Sequence, residues 1–212
     1  MIKIKPFPKL VQLTDSNVCG AYCVAATLDA FDLFPSVLPL QINSFFGKKI
    51  SIPRNISLKA FADHIYLITG ILNTDEPSKY IENNGLNSLA AMVYVLEKCS
   101  LNVRLFFKDK SAFENLKEVY PAEIGLLKQK ITVSSFLNER VSTAFNNIVI
   151  YAIQHDCGGT HYVANNERGE WFDPAAINGN VLFKSFVSIE VFTEQNGWKW
   201  LGVCLSISLE DI

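Results

Sequence analysis

Cys19 follows the turn-forming run Thr14-Asp15-Ser16-Asn17 and opens a segment, Cys19 to Phe31, dense in Ala, Val and Leu. The pattern predicts a buried helix whose first turn starts at Cys19. Unpaired amides and the helix dipole favour negative charge at that place, so the thiol is a candidate thiolate nucleophile. Taken alone, a cysteine near a helix start is more often a small buried hydrophobe. Two further segments change the balance. His161 begins an extended stretch just after Gly158-Gly159, and Asp173 lies at the end of the next extended stretch, before Pro174. A strand, a short turn and a partner strand would set these two side by side across an antiparallel pair, where an aspartate fixes one imidazole tautomer. A thiolate paired with imidazolium, an acceptor on the other ring nitrogen and donors for a developing oxyanion are the parts that cysteine catalysis needs. The expected donors are the Cys19 backbone amide and the side-chain amide of Gln12, with Asn17 or another backbone amide as alternatives to Gln12. Asp173 also fits a plain turn start before Pro174, and both roles can hold together.

The elements that must position these groups divide the chain. Ser57 is placed to cap a helix carrying Leu58, Phe61, Ala62, Ile65 and Ile68 on one side, with Gly70 as its stop. Asn87 or Ser88 starts another, with Leu89, Met92, Val93 and Leu96 at helical spacing. In the final third, Ile148 to Ile153 is a β-branched run ending at the Asp156-Cys157-Gly158-Gly159 turn, and Thr160 to Ala164 resumes beyond it as a hairpin. A turn at Asn165 to Gly169 precedes Glu170-Trp171-Phe172, and Trp198 to Leu209 alternates as a last long strand. Helices first and antiparallel strands afterwards predict an α+β fold. With no repeat, linker or charge block, 1–212 reads as one domain, with a mainly helical lobe at 1–147 and a mainly β lobe at 148–212.

"QLTDSNVCGAYCVAA" resembles the nucleophile segment of papain-like cysteine proteases of clan CA, and "GGTHYVANNERGEWFDPA" resembles their bacterial His/Asp segment. Within that clan the sequence is most similar to the IpaJ-like type III-secreted effector proteases. The likeness extends to "HIYLITG", "SLNVRLF" and "WLGVCLSIS". It implies a papain-like two-lobed fold, with a cleft between the nucleophile helix and the β lobe. It also implies peptide-bond hydrolysis by Cys19 as nucleophile, His161 as general base and acid and Asp173 as its orienting group. Gln12 stands slightly farther from Cys19 than papain-like enzymes usually place their oxyanion glutamine. The resemblance further implies a protein substrate, with removal of an N-myristoylated glycine from host proteins such as small GTPases, and secretion without a Sec signal into a host cytoplasm. The same triad would also serve a deamidase or an acyltransferase, and a silent fold could act as a binding module. The 15 Phe residues could line an acyl groove, though a core accounts for them equally.

Composition narrows the partners. Hydrophobic residues make up 49% of the 212 and charged residues 19%, which suits a packed core and excludes a disordered tail. A net charge of -2 supplies no basic field for nucleic acid, and the lysines at Lys108, Lys110, Lys117, Lys128 and Lys130 read as a solvated face among acids. The longest stretch free of charge and histidine, Leu33 to Gly47, contains Pro35 and Pro39 and is too short to span a bilayer, so no integral membrane segment is expected. Met1 to Pro8 lacks the apolar region and cleavage site of a Sec signal. Five cysteines at irregular spacing suit reduced thiols. A metal reading that joins Cys23 to Cys157, His155 or His161 matches no common ligand spacing. No metal and no cofactor are therefore expected. Cys23, Cys99 and Cys204 read as packing residues, His64 as a partly buried structural histidine, and Trp171, Trp198 and Trp200 as core or sheet surface.

Overall fold

Helix α1, Cys19–Ala30, is apolar on every side, and all of it but Asp29 is buried. A helix without a polar face belongs in the middle of a molecule, and α1 packs against both a second helix and a strand of the main sheet. The computed structural model describes residues 4–14, 16–82, 84–131, 135, 146–155, 158–176, 181–184 and 187–209.

Two helices beside α1 start on the side chains that the sequence offers. Ser57 accepts from the Ala60 amide at 3.1 Å at the head of α2, Leu58–Thr69, and Ser88 accepts from the Ala91 amide at 3.1 Å at the head of α3, Leu89–Lys98. Each cap satisfies one amide that the first turn leaves without a helical partner. Short antiparallel ladders accompany them: β1, Leu40–Asn43, with β2, Lys49–Ile52, and β3, Gly70–Leu72, with β4, Leu86–Asn87.

The main sheet combines β5, Leu101–Phe107, β6, Asn147–His155, β7, Thr160–Asn166, β8, Glu170–Phe172, β9, Val181–Lys184, and β10, Trp198–Leu209. Its order is β5-β10-β6-β7-β8-β9, and every pair is antiparallel. The hairpin expected around Gly158 is the β6–β7 pair, and the expected last strand is β10. The residues Asp156 and Cys157 of that turn lie outside the described residues. Strand β5 comes from the stretch read as mainly helical, so the sheet draws an edge strand from the first half of the chain.

Alternation along β6 sorts the core into two layers. Ile148, Ile150 and Ala152 join the large cluster under the helices, whereas Val149, Tyr151 and Ile153 join a second cluster with Trp171 and Phe192. Phe192 belongs to α6, Ile189–Gln195, which closes the far face. Helix α4, Lys110–Val119, capped by Asp109, and α5, Pro121–Leu127, cover the region beside β10 and α3. The mixed helical and antiparallel architecture is the α+β fold expected from the sequence, with α1 packed on the β-sheet. Among the described residues no helix is long and apolar enough to cross a membrane.

Candidate active site

The site forms where the start of α1 meets the start of β7. Cys19 is the first residue of α1 and is buried, with 7% of its surface accessible. His161 is second in β7 and pairs with Ile153 of β6. The β7–β8 register pairs Ala164 with Phe172 and Asn165 with Trp171. Continued one step past β8, it sets Asp173 opposite Val163, a diagonal neighbour of His161 on the same side of the ladder. The two side chains meet there, with His161 Nε2 and Asp173 Oδ1 2.7 Å apart and both groups buried.

Asp173 Oδ1 also accepts the Ala175 amide at 2.8 Å, and its carbonyl accepts the Ala176 amide at 3.2 Å. It therefore starts the turn and holds the imidazole at once, the two compatible roles read from Asp-Pro. With Nε2 on the carboxylate, the other ring nitrogen is the one left for the Cys19 sulfur, to which His161 is hydrogen-bonded. Burial works against charge on this ring. The bonds to Asp173 and Cys19 and the negative charge on both outweigh it, and the histidine is pushed up to about 10. An imidazole in that state is an imidazolium at neutral pH and can protonate a leaving amine.

Gln12 reaches the same place by its backbone, since its amide donates to the Pro174 carbonyl at 2.8 Å. Its side chain makes one long bond, from Nε2 to the Ser16 carbonyl at 3.4 Å, and its Oε1 is buried with no hydrogen-bond partner. A carboxamide so weakly held at the segment leading to Cys19 can turn to a new acceptor at little cost. Asn17, the alternative, is exposed, and its carbonyl accepts from the side chain of Asn87.

One neighbour of the imidazole, Trp198, lay outside the sequence reading of the site. The Trp198 ring lies 6.4 Å from the His161 ring and 5.0 Å from that of His155, and His155 is itself 5.5 Å from His161. Trp198 therefore borders the site, unlike Trp171, which stacks on Phe192 at 3.8 Å in the core, and Trp200, which packs edge-on against Tyr151. The signal was available in the β10–β6 pairing, because Trp198 stands opposite His155. The remaining thiols behave as packing residues. Cys23 donates to the Tyr162 carbonyl at 3.4 Å, and burial pushes Cys23 and Cys204 well up and Cys99 to about 12. His64 is half-buried, with Nδ1 2.7 Å from the Ala60 carbonyl of its own helix. Cys157, one of the ligands weighed for a metal, lies outside the described residues.

A cavity of about 470 Å³ opens beside His161, with Thr160, Tyr162 and Asn87 among its polar lining and Leu72, Leu86, Leu116 and Leu201 among its apolar lining. Among the described residues no phenylalanine is part of this lining. Phe61, Phe107, Phe172 and Phe192 are fully buried in the core instead. Glu123 also borders the cavity, where it accepts from Tyr80, Ser88 and the Ala90 amide, and burial pushes its carboxyl up. A second cavity of about 350 Å³, near Phe45, Tyr94 and Leu126, is lined by none of Gln12, Cys19, His161 and Asp173.

The model of one protein family, described as invasion plasmid antigen J, cysteine protease, matches residues 11–210. The chain belongs to that family. It is accordingly a cysteine peptidase, and its substrates are proteins. Comparison with curated proteins gives no match. Among solved structures it is similar to a double glycine motif protease from an AMS/PCAT transporter in complex with the leader peptide, at 14% identity over 97% of this chain and 94% of that one, with a TM-score of 0.43. It is also similar to the peptidase domain of Streptococcus ComA, a bi-functional ABC transporter involved in a quorum sensing pathway, at 13% identity over 95% of this chain and 98% of that one, with a TM-score of 0.40.

Proposed function

We propose that this IpaJ-family peptidase hydrolyses its substrate through Cys19, His161 and Asp173, with Gln12 and the Cys19 amide receiving the oxyanion. The observation that carries the reading is the buried contact of His161 with Asp173 at 2.7 Å on one side and with Cys19 on the other. The sulfur attacks the scissile carbonyl, the oxyanion collapses to a thioester as His161 protonates the departing amine, and His161 then activates the water that releases the acid. The substrate proposed is a host protein with an N-myristoylated glycine, an N-myristoylated small GTPase among them. The enzyme would reach it as a secreted effector in the host cytoplasm. Family membership supports this choice, as does an apolar cavity of about 470 Å³ beside His161, within the roughly 300–1,000 Å³ of small-ligand pockets.

The test is incubation of wild-type and Cys19→Ala protein with a host-cell proteome, followed by terminal-peptide sequencing. New N-termini that begin one residue after a myristoylated glycine, in the wild-type sample only, support the whole reading. New termini elsewhere keep the triad and discard the lipid. Equal cleavage by Cys19→Ala discards the triad. Substrates that gain about one dalton without a new terminus would identify a deamidase.

A further inference from the structure

Helix α1 begins without a cap of its own. Val18 stands at the cap position, and no side chain there accepts from the first turn. The acceptor comes instead from Asn87, at the end of β4, whose Oδ1 takes the Ala21 amide at 3.1 Å and the Thr69 hydroxyl at 2.7 Å. Ala21 is the third residue of α1, the position whose amide a capping side chain ordinarily satisfies. A backbone amide can only donate, so this bond settles which way round the Asn87 carboxamide lies. Its Nδ2 must then face the other way, where it donates to the Asn17 carbonyl and approaches Cys19 Sγ at 4.0 Å. The side chain is buried, with 1% of the residue accessible, and its own carbonyl accepts the Tyr162 hydroxyl at 3.2 Å. Gly20 is what lets it come so close, since a Cβ there would stand 2.7 Å from Asn87 Cβ and 2.8 Å from Cγ.

We propose that Asn87 is a positioning residue for the nucleophile: one carboxamide caps α1, ties down the loop before it and directs an N–H at the Cys19 sulfur, holding that sulfur toward His161. Such a donor favours the thiolate over the thiol, because a sulfur anion accepts a hydrogen bond more strongly than a neutral one. The inference rests on the triad reading above. The other ionisable groups that act on the thiol are His161 with Asp173 behind it, Cys23, Tyr66 and Tyr162. Burial holds Cys23 and the two phenols above their ordinary values, so His161 is the group among them whose charge favours the thiolate.

The experiment follows alkylation of Cys19 by iodoacetamide, read by mass spectrometry across pH, in wild type, Asn87→Asp, Asn87→Ser and His161→Ala, with thermal melting of each. Asn87→Asp keeps the acceptor for Ala21 and Thr69 but turns a carboxylate oxygen toward the sulfur and the Asn17 carbonyl. Its alkylation midpoint should rise by about one pH unit or more. Asn87→Ser, smaller and uncharged, should move the midpoint the same way by less, and it decides the matter if the aspartate variant does not fold. A variant that melts earlier while its midpoint coincides with wild type would show a purely structural asparagine and overturn the proposal. Should His161→Ala also leave the midpoint where it was, the triad fails and this role goes with it; a shift in His161→Ala alone removes only Asn87.

Discussion

His161 carries two bonds that both favour its charge, and the pH dependence of turnover tests the one to Asp173. The ring is charged below its pKa, so a value raised from 6.5 to about 10 keeps the leaving-group acid in place through neutral pH and loses it as pH climbs through about 10. The alkaline limb of kcat/KM should therefore fall near 10 in wild type. Asp173→Asn removes the first of the interactions that raise the ring. Its limb should move down toward 6.5, with the deficit against wild type growing about tenfold per pH unit between the two limbs. Equal limbs in the two proteins would mean that Asp173 does not tune the ring. Gln12 invites a different comparison. If its loosely held carboxamide receives the oxyanion, Gln12→Ala should lower kcat about 10²–10³-fold while Cys19 alkylation keeps its rate, because alkylation develops no oxyanion. Loss in both assays would place Gln12 in loop structure instead. The candidate residues that the structure brings together were legible as types and in their chain order because Cys-Gly at a helix start, Gly-Gly-Thr-His before a strand and Trp-Phe-Asp-Pro after it are local patterns. Trp198 was not legible in that way, since its place beside His161 depends on a pairing between β6 and β10, forty-three residues apart from Trp198 to His155.

At the scale of elements, the start of α1 is the join on which the site depends, and Gly20 tests it. A methyl group at this position would lie 2.7 Å from Asn87 Cβ and 2.8 Å from Met92 Sδ, contacts that real side chains do not make. Gly20→Ala should therefore cost about 1–3 kcal/mol, measured by urea unfolding, and should slow Cys19 alkylation as Asn87 is pushed aside. Unchanged stability would mean that α3 and β4 yield easily. The helices α1, α2 and α3 could be read in advance because each has dense apolar spacing, and two of them have a serine at the head. The cap of α1 could not, because it arrives from a residue 66 positions away. Asn87 looked like a helix start beside Ser88, yet Ser88 alone takes that role in α3. Strand β5 alternates buried and exposed along its length, but its place at the sheet edge is fixed only by pairing with β10, almost one hundred residues later. Helices α5 and α6 have seven residues each, too few for periodicity to distinguish them from loops.

For the molecule as a whole, the decisive relation is between the proposed triad, where α1 meets β7, and the cavity of about 470 Å³ that runs from His161 toward α4 and α5. The small reagent iodoacetamide needs only the sulfur, whereas a lipidated N-terminus would need the cavity as well, so the two can be uncoupled. Leu116 lies on α4, partly buried against the core, and lines the cavity. Leu116→Trp adds bulk there, on a helix that carries none of Cys19, His161, Asp173 and Asn87. If the cavity holds the acyl chain, this variant should lose about tenfold or more in kcat/KM on a myristoylated peptide, as expected when roughly 1.4 kcal/mol of binding is lost. It should cleave the same peptide without the acyl group as wild type does and should alkylate at the wild-type rate. An equal loss on both peptides would assign the cavity to the peptide chain rather than the lipid. Full activity on the acylated peptide would leave the cavity outside the path of the substrate altogether.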